Sequence, residues 1–471
     1  VSNISFIGLF LNLINWRGKS HPIDGMGMRA PFLVQGRGRE GRRWACAQAR
    51  LPYLTGTNVW STLPETTPVK PGADMQTVRI YRLKGLAPPT RARLRAAQLE
   101  AARVWNVCCE RHQDARLRHQ PWPDRDALQQ ATKGGQFALH SQSIQMICHQ
   151  LLANVETTRQ LKPTHPRMRY PYKPKQYMTV QWPAQAVSRQ GKRLILPMGR
   201  GRKALCFRLE LPERIGGVSL VWNGSYELHV VVPAPAAAHV SGVAQAAIDL
   251  GEIHLAAVTT TTGQGLVVSG RGIRSLKRRH NKSLGQLQRK QARCTRGSRR
   301  SRALQRARAR LRARTERQVR DRRHKATRQV VRFLQHEGVQ TVFIGDPHGV
   351  RDQPCGRHHH QRMSQWEYGK DKDYLSQKCA QAGILSFTGS ERGTSSRCPN
   401  CQRRQKIRGR NWVCKNPQCR FAGHRDIVGS LNMHRLAFGR AIAYPSRVTY
   451  LRPSRDVVAA GAPACGRGNP Y

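Results

Sequence analysis

Four cysteines near the end of the chain, arranged in two short pairs, constrain the local fold more than any other feature. Cys398 and Cys401 form the first pair, Cys414 and Cys419 form the second, and twelve residues separate the two pairs. Each short spacing lets two thiolates from one turn reach the same ion, and two such turns complete a tetrahedron around zinc. Four sulfur ligands leave no open coordination position, so we predict a structural zinc ribbon over residues 398–419 rather than four unrelated thiols.

A strand interrupted by a carboxylate gives the second constraint. Residues 246–251 form a short apolar run that contains Asp249. A charge inside an apolar strand needs a partner, so a surface or capping role does not easily explain this residue. Four more strand patterns follow, at 254–259, 265–269, 341–344 and 384–388. Helical patterns lie between the second and third of these strands and, from about Ser364 to Ala382, between the third and fourth. This order predicts an α/β core of the ribonuclease-H-like kind. The three histidines at 358–360 are expected in a loop.

The segment between these strand patterns is strongly basic. Residues 271–332 hold 25 Lys and Arg residues but only two acidic residues, within a chain whose net charge is +56. Apolar residues recur at helical or heptad-like spacing, which predicts two long helices with one packed face and one basic face. Alternating positive and negative residues would be enough to keep these helices soluble. The excess of positive charge therefore predicts contact with nucleic-acid phosphates. The arginines that we assign to this contact are Arg299, Arg300, Arg306 and Arg310.

Several carboxylates accompany the predicted core. Asp249 lies in the first strand, Asp426 opens a helix just after the ribbon, and either Asp346 or Glu391 can complete a set of three. Cleavage of a phosphodiester by divalent metal needs carboxylates that converge on ions about 4 Å apart. Oxygen ligands of this kind favour Mg²⁺ or Mn²⁺. Taken singly, each acid other than Asp249 is better explained by its pattern as a surface or capping residue.

The N-terminal half gives weaker signals. An alternating strand begins at Met75, two amphipathic helices follow, and residues 176–233 contain short alternating runs that predict a small β domain. Between the helices and this β domain lies a Pro-rich segment in which aromatic and basic residues alternate. Aromatics among cations suit base stacking combined with phosphate contact, although a plain Pro-rich loop explains the same residues. The predicted contacts are Tyr170, Tyr172, Lys173 and Lys175.

Four segments carry a family resemblance. They are Ala-Ile-Asp249-Leu-Gly, the basic double helix that ends in Arg320-Asp-Arg-Arg-His-Lys325, Glu391-Arg-Gly-Thr-Ser-Ser-Arg-Cys398-Pro-Asn-Cys401, and His424-Arg-Asp426. With them the sequence resembles the TnpB proteins, the OrfB products of bacterial insertion sequences, which are related to the compact type V CRISPR effectors. The resemblance covers residues 75–440 and is strongest over 243–435; Tyr170-Pro-Tyr-Lys-Pro-Lys175 is also similar to the family.

The resemblance implies an α/β multidomain protein with a RuvC-like nuclease core. The core would comprise residues 241–397 and 420–440, with the ribbon inserted between them, and residues 75–240 would form a wedge-like β domain with a helical recognition insert. Residues 1–74 are predicted to be disordered or a leader, and 441–471 a disordered tail. The implied activity is RNA-guided cleavage of DNA with Mg²⁺ or Mn²⁺. Its partners would be a guide RNA and double-stranded and single-stranded target DNA.

One departure from the family pattern concerns the second catalytic acid. The family usually has a Glu at the end of the strand where this chain has Gly345, followed here by Asp346. Some similar members have Gly-Asp there and carry a Glu before the Thr-Ser segment, which corresponds to Glu391. The resemblance therefore implies a catalytic set of Asp249, Glu391 and Asp426, with Asp346 and Glu367 as reserves for the second acid.

Three other functions remain open at this point. A nuclease-dead RNA-guided repressor would keep the basic surfaces and the ribbon without a full acid set, and a compact type V CRISPR effector would share the same chemistry. An RNA-binding zinc-ribbon protein without a DNA function would not explain the acid in the strand around Asp249.

The cysteine content bears on the compartment of the protein. The chain has 13 cysteines, an odd number without a disulfide-like pattern, which predicts a reducing compartment such as the bacterial cytoplasm. The apolar run 4–14 is too short to span a bilayer, so no membrane partner is expected.

Overall fold

The computed structural model of the chain describes residues 75–234, 242–347, 356–407 and 409–453. The predictions for 1–74 and for the apolar run 4–14 lie outside the described residues. Within these ranges the chain divides into two compact units, of which the smaller comprises Trp105–Lys133 and Ile147–Pro174. None of the described helices is both long enough and apolar enough to cross a bilayer.

The smaller unit is helical. It contains helix α2 (Arg125–Ala131) and parts of α1 (Pro88–Leu117) and α3 (Ser141–Leu161). Apolar residues at helical spacing form its core, so the amphipathic pattern of the sequence is the cause of this packing. The fully or almost fully buried members are Trp105, Cys108, Leu128, Cys148 and Leu151.

Two antiparallel sheets in the larger unit are built from the segments that flank the helices. The four-stranded sheet has the order β1-β7-β6-β2, so the strand that begins at Gln76 pairs with the one that ends at Pro233. A three-stranded meander, β3-β4-β5, accompanies it. The strands are β1 (Gln76–Arg82), β2 (Val180–Trp182), β3 (Ser188–Gln190), β4 (Arg193–Leu196), β5 (Leu205–Arg208), β6 (Val218–Trp222) and β7 (Tyr226–Pro233).

A six-stranded mixed sheet forms the centre of the larger unit. Its order is β12-β11-β8-β9-β10-β15, with β8, β9 and β10 as the predicted antiparallel meander. Strand β11 pairs parallel to β8, and β12 pairs parallel to β11, so their carboxyl ends meet at one edge of the sheet. The strands are β8 (Ala244–Leu250), β9 (His254–Thr260), β10 (Gln264–Ser269), β11 (Val339–Asp346), β12 (Leu385–Ser390) and β15 (Arg447–Leu451).

Both faces of this sheet are covered by helices, which explains why the central strands β9 and β10 are buried almost throughout. Two long basic helices, α4 (Arg271–Ala292) and α5 (Arg299–His336), lie on one face together with α7 (Tyr368–Gln381). Helix α8 (Arg425–Phe438) covers the other face with Ile427, Leu431 and Met433. Its Ser430 hydroxyl donates to the carbonyl of Ala247 at 2.8 Å, which fixes the helix to β8.

The sequence-based boundaries need three corrections. Strand β15 pairs parallel to β10 inside the segment predicted as a disordered tail, whose residues 454–471 lie outside the described part. The helix expected from about Ser364 to Ala382 is present as α7, which begins at Tyr368, and a further helix that was not predicted, α6 (Arg357–Gln365), precedes it. The three histidines at 358–360, expected in a loop, lie in α6.

Candidate metal centres and nucleic-acid surfaces

Three carboxylates from distant parts of the chain meet at the edge of the mixed sheet. Asp249 is the last residue but one of β8, Glu391 follows the end of β12, and Asp426 is the second residue of α8. Burial raises the pKa of Asp249 well above its usual value, and the charges of Glu391 and Asp426 raise it further. We refer to these three residues as the carboxylate cluster. The three acids of the predicted catalytic set therefore lie together, and their mutual repulsion calls for a cation.

The backbone beside two of these acids is glycine, and the reason is steric. A Cβ atom at Gly345 would lie 2.7 Å from Glu391 Oε2 and 2.8 Å from Met433 Sδ. A Cβ atom at Gly429 of α8 would lie 2.4 Å from Asp249 Oδ2. Each glycine thus gives a carboxylate the space that a side chain would fill. The Glu391 carboxylate therefore lies beside Gly345 of β11.

Glu391 has an oxygen that suits a metal ligand. Its Oε2 atom is buried and has no hydrogen-bond partner among the described residues. Burial, reinforced by the charge of Asp346 and opposed by Lys372, raises the pKa of Glu391 to about 7. The turn that holds it is fixed because the Thr394 hydroxyl donates to the Glu391 carbonyl at 2.8 Å. A buried acceptor without a partner, next to two more carboxylates, fits a divalent cation with oxygen ligands.

The two reserve acids have other partners. Asp346 ends β11 one residue after Gly345, so strand alternation turns it to the opposite face of the sheet, where it pairs with Lys372 of α7. Glu367 lies before α7 among Lys277, Lys370 and Arg323, whose charges outweigh burial and lower its pKa. Of the three candidates for the second acid, Glu391 alone has a buried oxygen without a hydrogen-bond partner in the described part.

Two residues beside Asp426 were not found by the sequence analysis. His254 Nδ1 lies 2.7 Å from Asp426 Oδ2, and an Arg410 guanidinium nitrogen lies 2.9 Å from the same oxygen. Burial alone would raise the pKa of Asp426, but the hydrogen bond to His254 and the charge of Arg410 hold it below its usual value. His254 opens β9, five residues after Asp249, so its position was a usable signal. Arg410 was one of many basic residues in the ribbon and gave no such signal.

The four ribbon cysteines share one site. Their sulfur atoms all lie within 4.8 Å of one another, and the pairs Cys398/Cys419 and Cys401/Cys414 are each 3.6 Å apart. Ligands at the usual Zn–S distance of about 2.3 Å stand about 3.8 Å apart around a tetrahedral ion, so the four thiols fit zinc. Strands β13 (Asn411–Val413) and β14 (Ala422–His424) form the ribbon hairpin beside them. The cysteine cluster was predicted from spacing alone.

We expect the purified, dialysed protein to retain about one zinc per chain, because the ribbon is too small to hold a core without it. Cys398→Ser and Cys414→Ser should each lose this zinc and become sensitive to proteases within the ribbon, while the mixed sheet stays folded. Zinc analysis combined with limited proteolysis checks both statements. Stoichiometric zinc that persists in both variants would contradict the four-cysteine assignment.

The predicted arginine contacts lie on α5. Arg299, Arg300, Arg306 and Arg310 are all exposed. Two grooves of about 560 and 590 Å³ run beside this helix and have Arg314 and Gln318 in common. The cations that line one or both grooves are Arg82, Arg279, Arg310, Arg314, Arg317, Arg322 and Lys325. A positive groove along a helix is the kind of surface that follows a phosphate backbone.

The tyrosines of the Pro-rich segment are used within the smaller unit. Tyr172 makes a 2.8 Å hydrogen bond with His112 Nδ1, and its ring stacks on Tyr170. Arg116 and Lys162 lie 4.7 and 4.9 Å from the centre of the Tyr170 ring. These contacts favour the plain-loop alternative for the two rings, because the surfaces that a base would stack on already have partners. Lys173 is exposed, and Lys175, in the larger unit, is half-buried.

Two family models match the chain. Residues 226–351 match the OrfB_IS605 model, described as "Probable transposase", and residues 368–433 match the Cas12f1-like TNB domain. The first match contains Asp249 and both basic helices, and the second contains Glu391, the four cysteines and Asp426. A comparison with curated proteins finds no match.

One solved structure is similar in fold, and two others give weaker matches. A cryo-EM structure of a Cas12f1–sgRNA–target DNA complex is 11% identical, with a TM-score of 0.52, and the match covers 74% of this chain and 83% of that chain. A CRISPR-Cas12f ternary complex is 12% identical with a TM-score of 0.33, and the match covers 74% of this chain and 81% of that chain. The mini-RNA-guided endonuclease CRISPR-Cas_phi3 is 14% identical with a TM-score of 0.30, and the match covers 49% of this chain and 52% of that chain. The resemblance predicted from the sequence is thus confirmed: the chain is similar to TnpB/OrfB-type transposon proteins and has the α/β fold of Cas12f1.

Proposed function

We propose that the protein is an RNA-guided DNA endonuclease that cleaves its target by hydrolysis with Mg²⁺ or Mn²⁺. The observation that carries the proposal is the convergence of Asp249, Glu391 and Asp426, with the unpaired Glu391 Oε2 beside Gly345. A protein that only bound nucleic acid would have no use for three repelling, largely buried acids at one sheet edge. The confirmed resemblance supports the same activity.

Each residue of the carboxylate cluster has a role in this proposal. Asp249, Glu391 and Asp426 would hold the divalent ions, which activate water and stabilise the leaving oxygen of the phosphodiester. Gly345 and Gly429 leave space for two of the carboxylates. His254 and Arg410 orient the Asp426 carboxylate and keep it ionised.

The proposal also assigns a role to each domain and to the basic surfaces. Residues 241–397 and 420–440 form the RuvC-like core of the proposal, 398–419 the zinc ribbon, and 75–240 a wedge-like β domain with a helical recognition insert. The guide RNA binds the exposed basic face of α5 and the two arginine-lined grooves. Pairing with the guide reads the DNA sequence, so the protein itself contacts shape, phosphate and a short flanking motif.

The decisive experiment is to purify the protein with its bound RNA and sequence that RNA. We expect one defined species that, with Mg²⁺, directs cleavage of a matching DNA duplex, and Asp249→Asn should abolish cleavage without loss of the RNA. Guided DNA binding without cleavage by the wild type would indicate a repressor instead. Absence of bound RNA would exclude the guided mechanism altogether.

A further inference from the structure

Two histidines lie beside Asp426 and form a second group of possible metal ligands with it. His254 from β9, His424 from the end of β14 and Asp426 from α8 each offer one ligand atom, and these atoms lie within 4.8 Å of one another. The two imidazole rings are 5.1 Å apart between centroids. We refer to these three residues as the histidine cluster. His424 is the N-cap of α8 and is therefore close to Asp426 in the sequence, whereas the tertiary fold brings His254 to both of them.

The position of His424 is fixed on several sides. Its backbone N–H donates to the Tyr444 hydroxyl at 3.1 Å, and its Nδ1 accepts from the backbone N–H of Asp426 at 3.3 Å. An imidazole that is held in place in this way needs little reorganisation to act as a metal ligand.

The donor types in the two clusters favour different ions. Two imidazoles and one carboxylate form a ligand set that proteins use for zinc, with a fourth position open to water. The carboxylate cluster offers oxygen only, which suits Mg²⁺ and Mn²⁺. Nitrogen ligands bind Zn²⁺ more strongly than Mn²⁺. Asp426 belongs to both clusters, so an ion in the histidine cluster would withdraw this carboxylate from the other.

Arg410 currently supplies the positive charge at the histidine cluster. One of its guanidinium nitrogens lies 2.9 Å from Asp426 Oδ2 and 3.0 Å from His254 Nδ1. A guanidinium keeps its charge at all ordinary pH values, so it cannot leave by deprotonation. A metal ion at this place must therefore displace the Arg410 side chain, which makes Arg410 a competitor of the ion.

We propose that His254, His424 and Asp426 form a second zinc site, distinct from the four-cysteine ribbon, and that Zn²⁺ bound there inhibits cleavage by withdrawing Asp426 from the carboxylate cluster. The inhibitory part rests on the proposed nuclease function, whereas the binding part does not. The site takes Zn²⁺ and not Mg²⁺, because its nitrogen ligands are a poor substitute for the oxygen ligands of Mg²⁺.

Zinc binding by the full chain tests the site directly. Wild type that already holds its ribbon zinc should bind one further Zn²⁺ in a calorimetric titration, and His254→Gln and His424→Gln should each lose that second event. The matched control replaces His358, His359 and His360 of α6 by Gln, because three consecutive histidines can also bind Zn²⁺. Loss of the second event in the control, or its persistence in both cluster variants, would overturn the proposal.

Arg410→Ala gives a test that does not depend on removing a buried histidine. Because the competing cation is gone, we expect the second Zn²⁺ to bind at least about fivefold more tightly than in the wild type. Unchanged or weaker binding would refute competition at Asp426.

Inhibition of cleavage is tested separately, if cleavage is observed. The rate with added Zn²⁺ divided by the rate without it, at fixed Mg²⁺, should be well below one in the wild type and close to one in His424→Gln. A protein that binds the second zinc but never cleaves would leave the site valid and refute the proposed function.

Discussion

Replacing Glu391 by Gln is expected to reduce Mg²⁺-dependent cleavage by at least about 100-fold while guided DNA binding survives. The substitution preserves the shape of the side chain and removes the charge that the metal ions need. Binding survives because the exposed arginines of α5 and the two grooves do not involve Glu391. Cleavage rates at saturating RNA and gel-shift affinities for matched DNA, measured with the same preparation, separate the two effects.

Two matched variants show whether the second acid has been assigned to the right residue. Asp346→Asn and Glu367→Gln remove the same charge from the reserve acids, whose carboxylates pair with lysines or arginine in the structure. Both should cleave far faster than Glu391→Gln. Full activity in Glu391→Gln together with loss in either reserve variant would show that another acid holds the metal.

Affinity for the guide RNA is expected to fall by orders of magnitude between about 50 and 200 mM salt, because cations on the protein release counterions from each phosphate that they contact. Replacing Arg299, Arg300, Arg306 and Arg310 by Gln should weaken RNA binding. It should also reduce the magnitude of the slope of log affinity against log salt by about three, because each lost phosphate contact on a single strand contributes about 0.7. Filter binding over a salt series measures both quantities.

The control for this experiment removes the same number of charges from residues that already have partners. Arg103, Arg118, Arg159 and Lys192 are exposed and each pairs with a carboxylate of the chain. Their replacement by Gln changes the net charge equally, so the slope should change much less. Equal slopes in the two quadruple variants would show that net charge alone, rather than the α5 surface, governs binding.

The spacing and alternation of residues close in the sequence predicted the elements whose structure is set by near neighbours in the chain. The two cysteine pairs, the strand around Asp249 and the basic helices each have a spacing or alternation that only one kind of element explains. The acid set followed from the resemblance, and the structure brings its three members together. Burial in the sheet and the parallel pairing of β8, β11 and β12 are the physical reason for this convergence.

Contacts between distant residues were not predictable in the same way. Arg410 reaches Asp426 from the ribbon, and no pattern around Arg410 specifies that partner. His254 reaches Asp426 from β9, and its position five residues after Asp249 was the one usable signal of the two. Tyr170 and Tyr172 have the composition of a stacking surface, yet their rings pack on residues of the same unit. Strand β15 was missed because a single strand at a sheet edge has too short a pattern to be distinguished from a tail.

The close contact at Gly345 limits how the two possible positions of the second acid can interchange during evolution. A glutamate at position 345 would place its Cβ 2.7 Å from Glu391 Oε2 and 2.8 Å from Met433 Sδ, and both atoms lie near the ends of flexible side chains. These two side chains must therefore move to admit the new residue, whereas the strand itself need not shift. A variant with glutamate at both positions would have to place the Glu391 carboxylate elsewhere, so a clean exchange of the second acid changes positions 345 and 391 together.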